Sequence, residues 1–193
     1  MDDHRAVTAM KPRTMRLAPL PESEWTEEVR DALGARVMDG RAFNIFTTLA
    51  HHPSLLKRWL VFGGHILGGS TLSPRQREIL ILRTGYRCKS EYEWGQHARI
   101  ARLVGLTDAE IRRLTEGPDA PGWDPAEALL LRAADELHDD QVVSDATWAA
   151  LGKELDAKQL IDLVFTVGQY TLVSMALNTL GVQRDEGVEG FPS

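Results

Sequence analysis

Helix start signals recur along this chain, with a Ser, Thr or Asp three residues ahead of a Glu or Gln at Ser73/Gln76, Ser90/Glu93, Thr107/Glu110, Asp124/Glu127 and Asp156/Gln159. Each pair has the form of a capping box, in which two side chains satisfy backbone N–H groups that the first turn of a helix leaves without partners. Pro74 and Pro125 fall just inside two of these starts, where a missing N–H costs nothing. Gly105 and Gly117 fall where helices are expected to stop. The punctuation predicts helices over 23–39, 53–68, 73–88, 90–104, 107–116, 124–139, 144–154 and 157–181.

The apolar pattern agrees. Ala126, Leu130, Ala133, Ala134 and Leu137 recur every three or four residues, as do Leu55, Trp59, Phe62 and Ile66. No stretch alternates apolar and polar residues between hairpin turns. The run Ile79-Leu80-Ile81-Leu82 would suit a strand, but the Ser73-Pro74 start ahead of it predicts a fully buried helix. The fold class is therefore all-α, a single-domain helical bundle, and 193 residues suit one core. An extended segment over 1–20 precedes the helical domain at 21–185, and a flexible tail is expected over 186–193.

Charge and composition narrow the partners. A net charge of −6 without a basic stripe argues against nucleic acid. Cys88 is the single cysteine, so an intramolecular disulfide is impossible and a Cys-based zinc site is not expected. His51, His52 and His65 lack metal-ligand spacing, so a metal site is not expected. The first residues carry no apolar core of the signal-peptide kind, which predicts a cytoplasmic protein. Leu163 to Gln183 holds no charge, yet Thr166, Gln169 and Asn178 make it too polar for an isolated membrane span. It reads as a core or oligomer-interface helix.

Candidate chemistry gathers in one stretch. Glu93 and His97 are four apart on one helix, so they share a face, and a carboxylate beside an imidazole favours the cationic ring. Glu78 lies on the preceding, very apolar helix and would approach His97 if the two pack antiparallel. Each has an ordinary alternative: Glu93 as the third residue of a capping box, His97 as a satisfied core histidine, Glu78 paired with Arg75, Arg77 or Arg83.

Glu78 followed by Ser90-x-x-Glu93-x-x-x-His97 resembles the signature of the carboxymuconolactone decarboxylase and alkyl hydroperoxidase D superfamily. In its peroxidase branch a Glu precedes Cys-x-x-Cys-x-x-x-His; here Ser90 and Glu93 take the cysteine positions. The stretches NIFTTLAHHP at 44–53 and LSPRQREILILR at 72–83 and the turn at 105–111 also resemble a non-redox subgroup, so the likeness spans roughly 40–182. It implies an AhpD-like bundle, and a homo-oligomer (dimer, trimer or hexamer) acting on a small-molecule substrate. It also implies a cofactor-independent lyase or isomerase on a small lactone or keto acid. His97 would be the proton donor, Glu93 its orienting partner and Glu78 a second acid or base. Ser90, Tyr92, Arg83 and His65 are the candidates for binding substrate, with Arg87 beside Arg83 for a carboxylate. At a helix start Glu93 is expected to have a low pKa. Two other readings stay open: a peroxidase-like protein using Cys88 alone, and a non-catalytic helical oligomer that binds a small molecule.

Overall fold

The computed structural model describes residues 14–37 and 41–192. Residues 1–13 of the expected extended segment, and residues 38–39 of the first predicted helix, lie outside that range. Helices follow one another as α1 (Glu27–Leu33), α2 (Asn44–Leu49), α3 (Pro53–Gly64), α4 (Pro74–Arg87), α5 (Glu91–Leu103), α6 (Asp108–Arg113), α7 (Pro125–Asp139), α8 (Asp145–Leu151) and α9 (Ala157–Leu180). The fold is the all-α bundle that the sequence predicts.

Local rules account for most boundaries. Capping boxes form at Ser73/Gln76, Thr107/Glu110 and Asp156/Gln159, each with both reciprocal hydrogen bonds. Asp124 caps α7 through Ala126 N instead, which releases Glu127 to pair with Arg75. The predicted helix over 23–39 is shorter and broken. Thr26 caps α1, and Gly34 ends it with a φ of 50° that a side chain would resist. A six-residue α2 is new, because two turns are too short to show a period. Past Gly64, α3 widens into a π-helical turn, His65–Gly69.

The centre of the bundle is α4, which packs against α5, α7 and α9. Ile79, Leu80, Ile81 and Leu82 are wholly buried, as a helix covered on all sides requires. Burying these four side chains contributes roughly 6–12 kcal/mol of transfer free energy before chain entropy is subtracted. With them the helix carries inward two charged groups, Glu78 and Arg83, which must find partners.

Although long and apolar enough to cross a membrane, α9 lies against α4 and α7, with just over half of its apolar window buried. Its outer face leaves Ile161, Phe165, Leu172 and Met175 about half exposed. Beyond α9, the segment expected as a flexible tail packs over its described part. Val188 is buried, Phe191 meets the rings of Tyr86 and Trp94, and Gly95 on α5 leaves no room for a Cβ beneath the Glu189 carbonyl. These apolar contacts hold the segment in place.

Candidate active site

Glu78 sits in the second turn of α4, and Glu93 and His97 lie on successive turns of α5. The turn between the two helices brings them together. Gly85 lets α4 approach α5 so closely that a Cβ there would lie 3.4 Å from Glu93 Cβ. Ser90 N–H donates to Gly85 O at 2.9 Å, tying the start of α5 to the end of α4. The expected Ser90/Glu93 capping box does not form: Ser90 caps nothing with its side chain, and its Oγ is buried without a partner among the described residues. Glu93 is thereby turned into the protein instead of back onto its own helix.

The imidazole of His97 stands between two carboxylates. Nδ1 lies 2.7 Å from Glu78 Oε2, a buried contact in which the ring must carry the proton and donate it. Nε2 lies 3.4 Å from Glu93 Oε2. The second oxygen of Glu78 accepts from Arg77 Nε at 3.0 Å, and Arg77 Nη1 donates to Leu67 O at 2.7 Å. Tyr170 presses edge-on against the His97 ring, with centroids 4.8 Å apart. Glu78 thus fixes the ring from behind, while Nε2 and Glu93 face outward.

Burial penalises the Glu93 carboxylate, His97 opposes that effect and Glu78 adds to it, leaving its pKa raised to about 7. The low value expected from the helix start is corrected: desolvation outweighs the half-charge of the helix dipole. Burial works against a charged His97 as well, but the charge and hydrogen bond of Glu78, with help from Glu93, outweigh it and raise the ring above its usual range. Glu93 therefore titrates near neutral pH beside a ring whose charged form Glu78 favours.

Glu93 and His97 form one wall of a cavity of about 220 Å³ enclosed by α2, α3, α5 and α9. Gln96 and Gln169 add amides, Tyr92 and Tyr170 add phenols, and the far side is apolar, with Phe46, Trp59 and Ile100 among its residues. Gln169 is 4% exposed, and its Oε1 has no hydrogen-bond partner among the described residues. Arg36 stands at the cavity too, its guanidinium 5.7 Å from the Phe46 ring and in no ion pair among the described residues.

The remaining predicted site residues divide. Tyr92 lines the cavity, but its hydroxyl is engaged: it donates to Asp185 Oδ2 at 2.6 Å and accepts from Ile45 N–H at 3.1 Å. Arg83 does not reach the cavity. Its guanidinium binds Asp135 bidentately at 2.7 and 2.8 Å and donates to Leu114 O, so it joins α4 to α7 and the end of α6. Arg87 pairs with Asp139 on the same side. His65 points away from the cavity as well, to Asp162 at 3.1 Å, in the π-helical turn. Each of these three placements follows from a carboxylate far away in sequence. Cys88 lies at the end of α4, half-buried, 3.6 Å from His138 Nδ1; burial raises its thiol above the usual range. Gln96, Gln169, Arg36 and Asp185 went unnoticed in the sequence, where nothing marks an isolated amide or arginine as facing a cavity. Among the described residues no group of three His, Cys, Asp or Glu side chains is placed to hold a metal ion.

Comparison with known proteins fits this architecture. Residues 53–136 match the carboxymuconolactone decarboxylase family. The fold is that of a solved alkylhydroperoxidase AhpD-core structure, an uncharacterized peroxidase-related protein from Ralstonia eutropha JMP134. It superposes with a TM-score of 0.77 at 18% identity, over 92% of this chain and 95% of that one. A peroxidase-related protein from Silicibacter sp. TM1040 gives 0.72 at 16% identity, over 94% and 97%. The debrominase Bmp8, in complex with 2,3,4-tribromopyrrole, gives 0.73 at 12% identity, over 91% and 95%. No curated protein sequence matches the chain significantly.

Proposed function

We propose that this chain, which matches the carboxymuconolactone decarboxylase family over residues 53–136 and has no Cys-x-x-Cys pair, is a lyase or isomerase moving a proton between the Glu93–His97 pair and a small lactone or keto acid. One observation carries this reading: a histidine clamped from behind by Glu78 turns Nε2, together with a carboxyl of pKa about 7, onto a mostly apolar cavity. A group that titrates near the working pH is where general acid–base catalysis is most effective.

In a decarboxylation here, the bond from carbon to the substrate carboxylate breaks and its electron pair moves into the conjugated lactone carbonyl. Carbon dioxide leaves, the double bond shifts to the carbon that carried it, and the carbon next to the lactone carbonyl takes a proton from His97 Nε2–H or from the Glu93 carboxyl, which solvent later restores. In an isomerisation, the Glu93 carboxylate removes a proton and the pair returns it to another carbon. The favoured cationic form of His97 suits an anionic substrate. Arg36 takes over the carboxylate-gripping role for which Arg83 is not free. Cys88 supports no competing thiol mechanism, since a raised thiol pKa leaves little thiolate and the residue does not line the cavity. The exposed apolar stripe of α9 supports the homo-oligomer as part of the same reading.

The test is carbon dioxide release from carboxymuconolactone. The protein should turn it over, and His97→Ala and Glu93→Gln should each lose at least ~100-fold, the scale of a general acid–base contribution. No release by the unaltered protein removes this substrate; release undiminished in both variants removes the site.

A further inference from the structure

A second cavity, of about 180 Å³, adjoins the first between α3 and α9. The two share Ile45, Trp59 and Val173 as walls, and every residue lining the second is apolar. Helix α9 underlies both: Gln169 and Tyr170 face the first, Val173 borders each, and Ala176, Leu177 and Leu180 face the second. Seven residues separate Gln169 from Ala176, ~10 Å along a helix axis. The polar end is marked by the unpartnered Gln169 Oε1 beside Glu93 and His97, and the apolar end by the absence of any polar side chain. Leu55 and Leu172 on the second cavity are each 52% exposed, so it opens to the surface.

Resting on the reading of Glu93 and His97 as the site for the reacting group, we infer that the ligand is amphipathic. Its polar head, an acid or lactone, sits at Gln169, Glu93 and His97. An aliphatic or aryl tail passes the Trp59 ring into the second cavity. An engineered apolar cavity of ~150 Å³ takes a benzene ring, so a tail of about six carbons fits. A buried methylene gains ~0.8 kcal/mol, which is ~4-fold in affinity. Trp59 is the residue that sets tail size, because it stands between the two spaces.

Calorimetric titration with straight-chain 2-oxo acids, from 2-oxobutanoate to 2-oxodecanoate, tests the inference. Affinity should rise ~4-fold per methylene and level off once the second cavity is full. Ala176→Phe, which fills that cavity, should flatten the rise while leaving 2-oxobutanoate binding unchanged. Leu180→Ala, which enlarges it, should move the plateau to a longer chain, and serves if the larger side chain disturbs folding. Equal affinity along the series, binding of none of its members, or a rise that persists in Ala176→Phe would overturn the inference. So would a change in oligomer mass in these variants with the chain-length dependence intact, which would give the groove to a second copy of the chain. Failure of the catalytic reading looks different: the rise would remain while carbon dioxide release was absent or insensitive to His97→Ala.

Discussion

His97 Nδ1 lies 2.7 Å from Glu78 Oε2 at the buried junction of α4 and α5, so the inward edge of the ring is committed to a carboxylate and only Nε2 remains for the cavity. The division of labour among three residues follows. Glu78 is a positioning residue, and Glu93 and His97 are the groups within reach of a ligand. Removing Glu78 leaves a buried ring without its acceptor, and breaking a buried pair costs ~3–5 kcal/mol. Glu78→Ala should therefore lower unfolding stability on that scale by urea titration. Glu78→Gln, which keeps an acceptor oxygen, should lose less and should lower the His97 pKa, read by NMR of the ring. An unchanged ring titration in Glu78→Gln would show that the contact does not govern His97.

Stability should fall as pH rises through the neutral range. Glu93 has a folded pKa of about 7 against an ordinary 4.5, and His97 is also raised, so the folded state binds more protons than the unfolded chain in that window. The stabilisation is complete below about pH 4.5 and lost as pH climbs past about 7; for Glu93 it amounts to ~3 kcal/mol. Carboxylates held low, such as Glu110 at about 2 beside Arg75, act in the opposite sense at acid pH. The comparison with Glu93→Gln isolates the effect: unfolding free energy measured from pH 5 to 8 should decline less steeply in the variant. Parallel curves would contradict a buried, proton-binding Glu93.

Arg83 should behave as a structural residue. Arg83→Ala leaves Asp135 only the looser contact with Arg87 at 3.6 Å and removes the donors to the end of α6, so a loss of ~3 kcal/mol is expected. Ligand affinity, measured where the variant is still folded, should stay within about two-fold, since the side chain does not face the cavity. A selective loss of affinity with stability intact would return Arg83 to the binding set.

Those two arginine and glutamate cases show what a sequence can carry. The Ser73, Thr107 and Asp156 boxes and the buried run of α4 were legible because each is decided within a few residues. Glu78, Glu93 and His97 were legible as a group through helical spacing and family likeness. The role of Arg83 was not, because Asp135 lies 52 residues away; nor was that of His65, whose partner Asp162 is 97 residues away. The pKa of Glu93 was misjudged because its helix position was visible while its burial was not. Asp185 illustrates the same limit from the other side. From beyond the last helix it receives Tyr92 Oη, Gln96 Nε2 and Asn44 N–H, joining α5 to the start of α2.

Cys88 should be dispensable. With its thiol raised by burial, alkylation by iodoacetamide at pH 7 should run slower than for a free cysteine, and Cys88→Ala should leave turnover within about two-fold. A variant that lost activity while staying folded would revive a thiol mechanism.

The most direct test of the Glu93–His97 pair is where the product's new hydrogen comes from. Carboxymuconolactone turned over in D2O should gain one deuterium, in a single configuration, at the carbon next to the lactone carbonyl, where the dienolate left by carbon dioxide is protonated, seen by proton NMR. In His97→Ala and Glu93→Gln that incorporation should fall with the rate. Deuterium appearing in both configurations, or at the same rate in the protein and both variants, would contradict delivery of the proton by this pair.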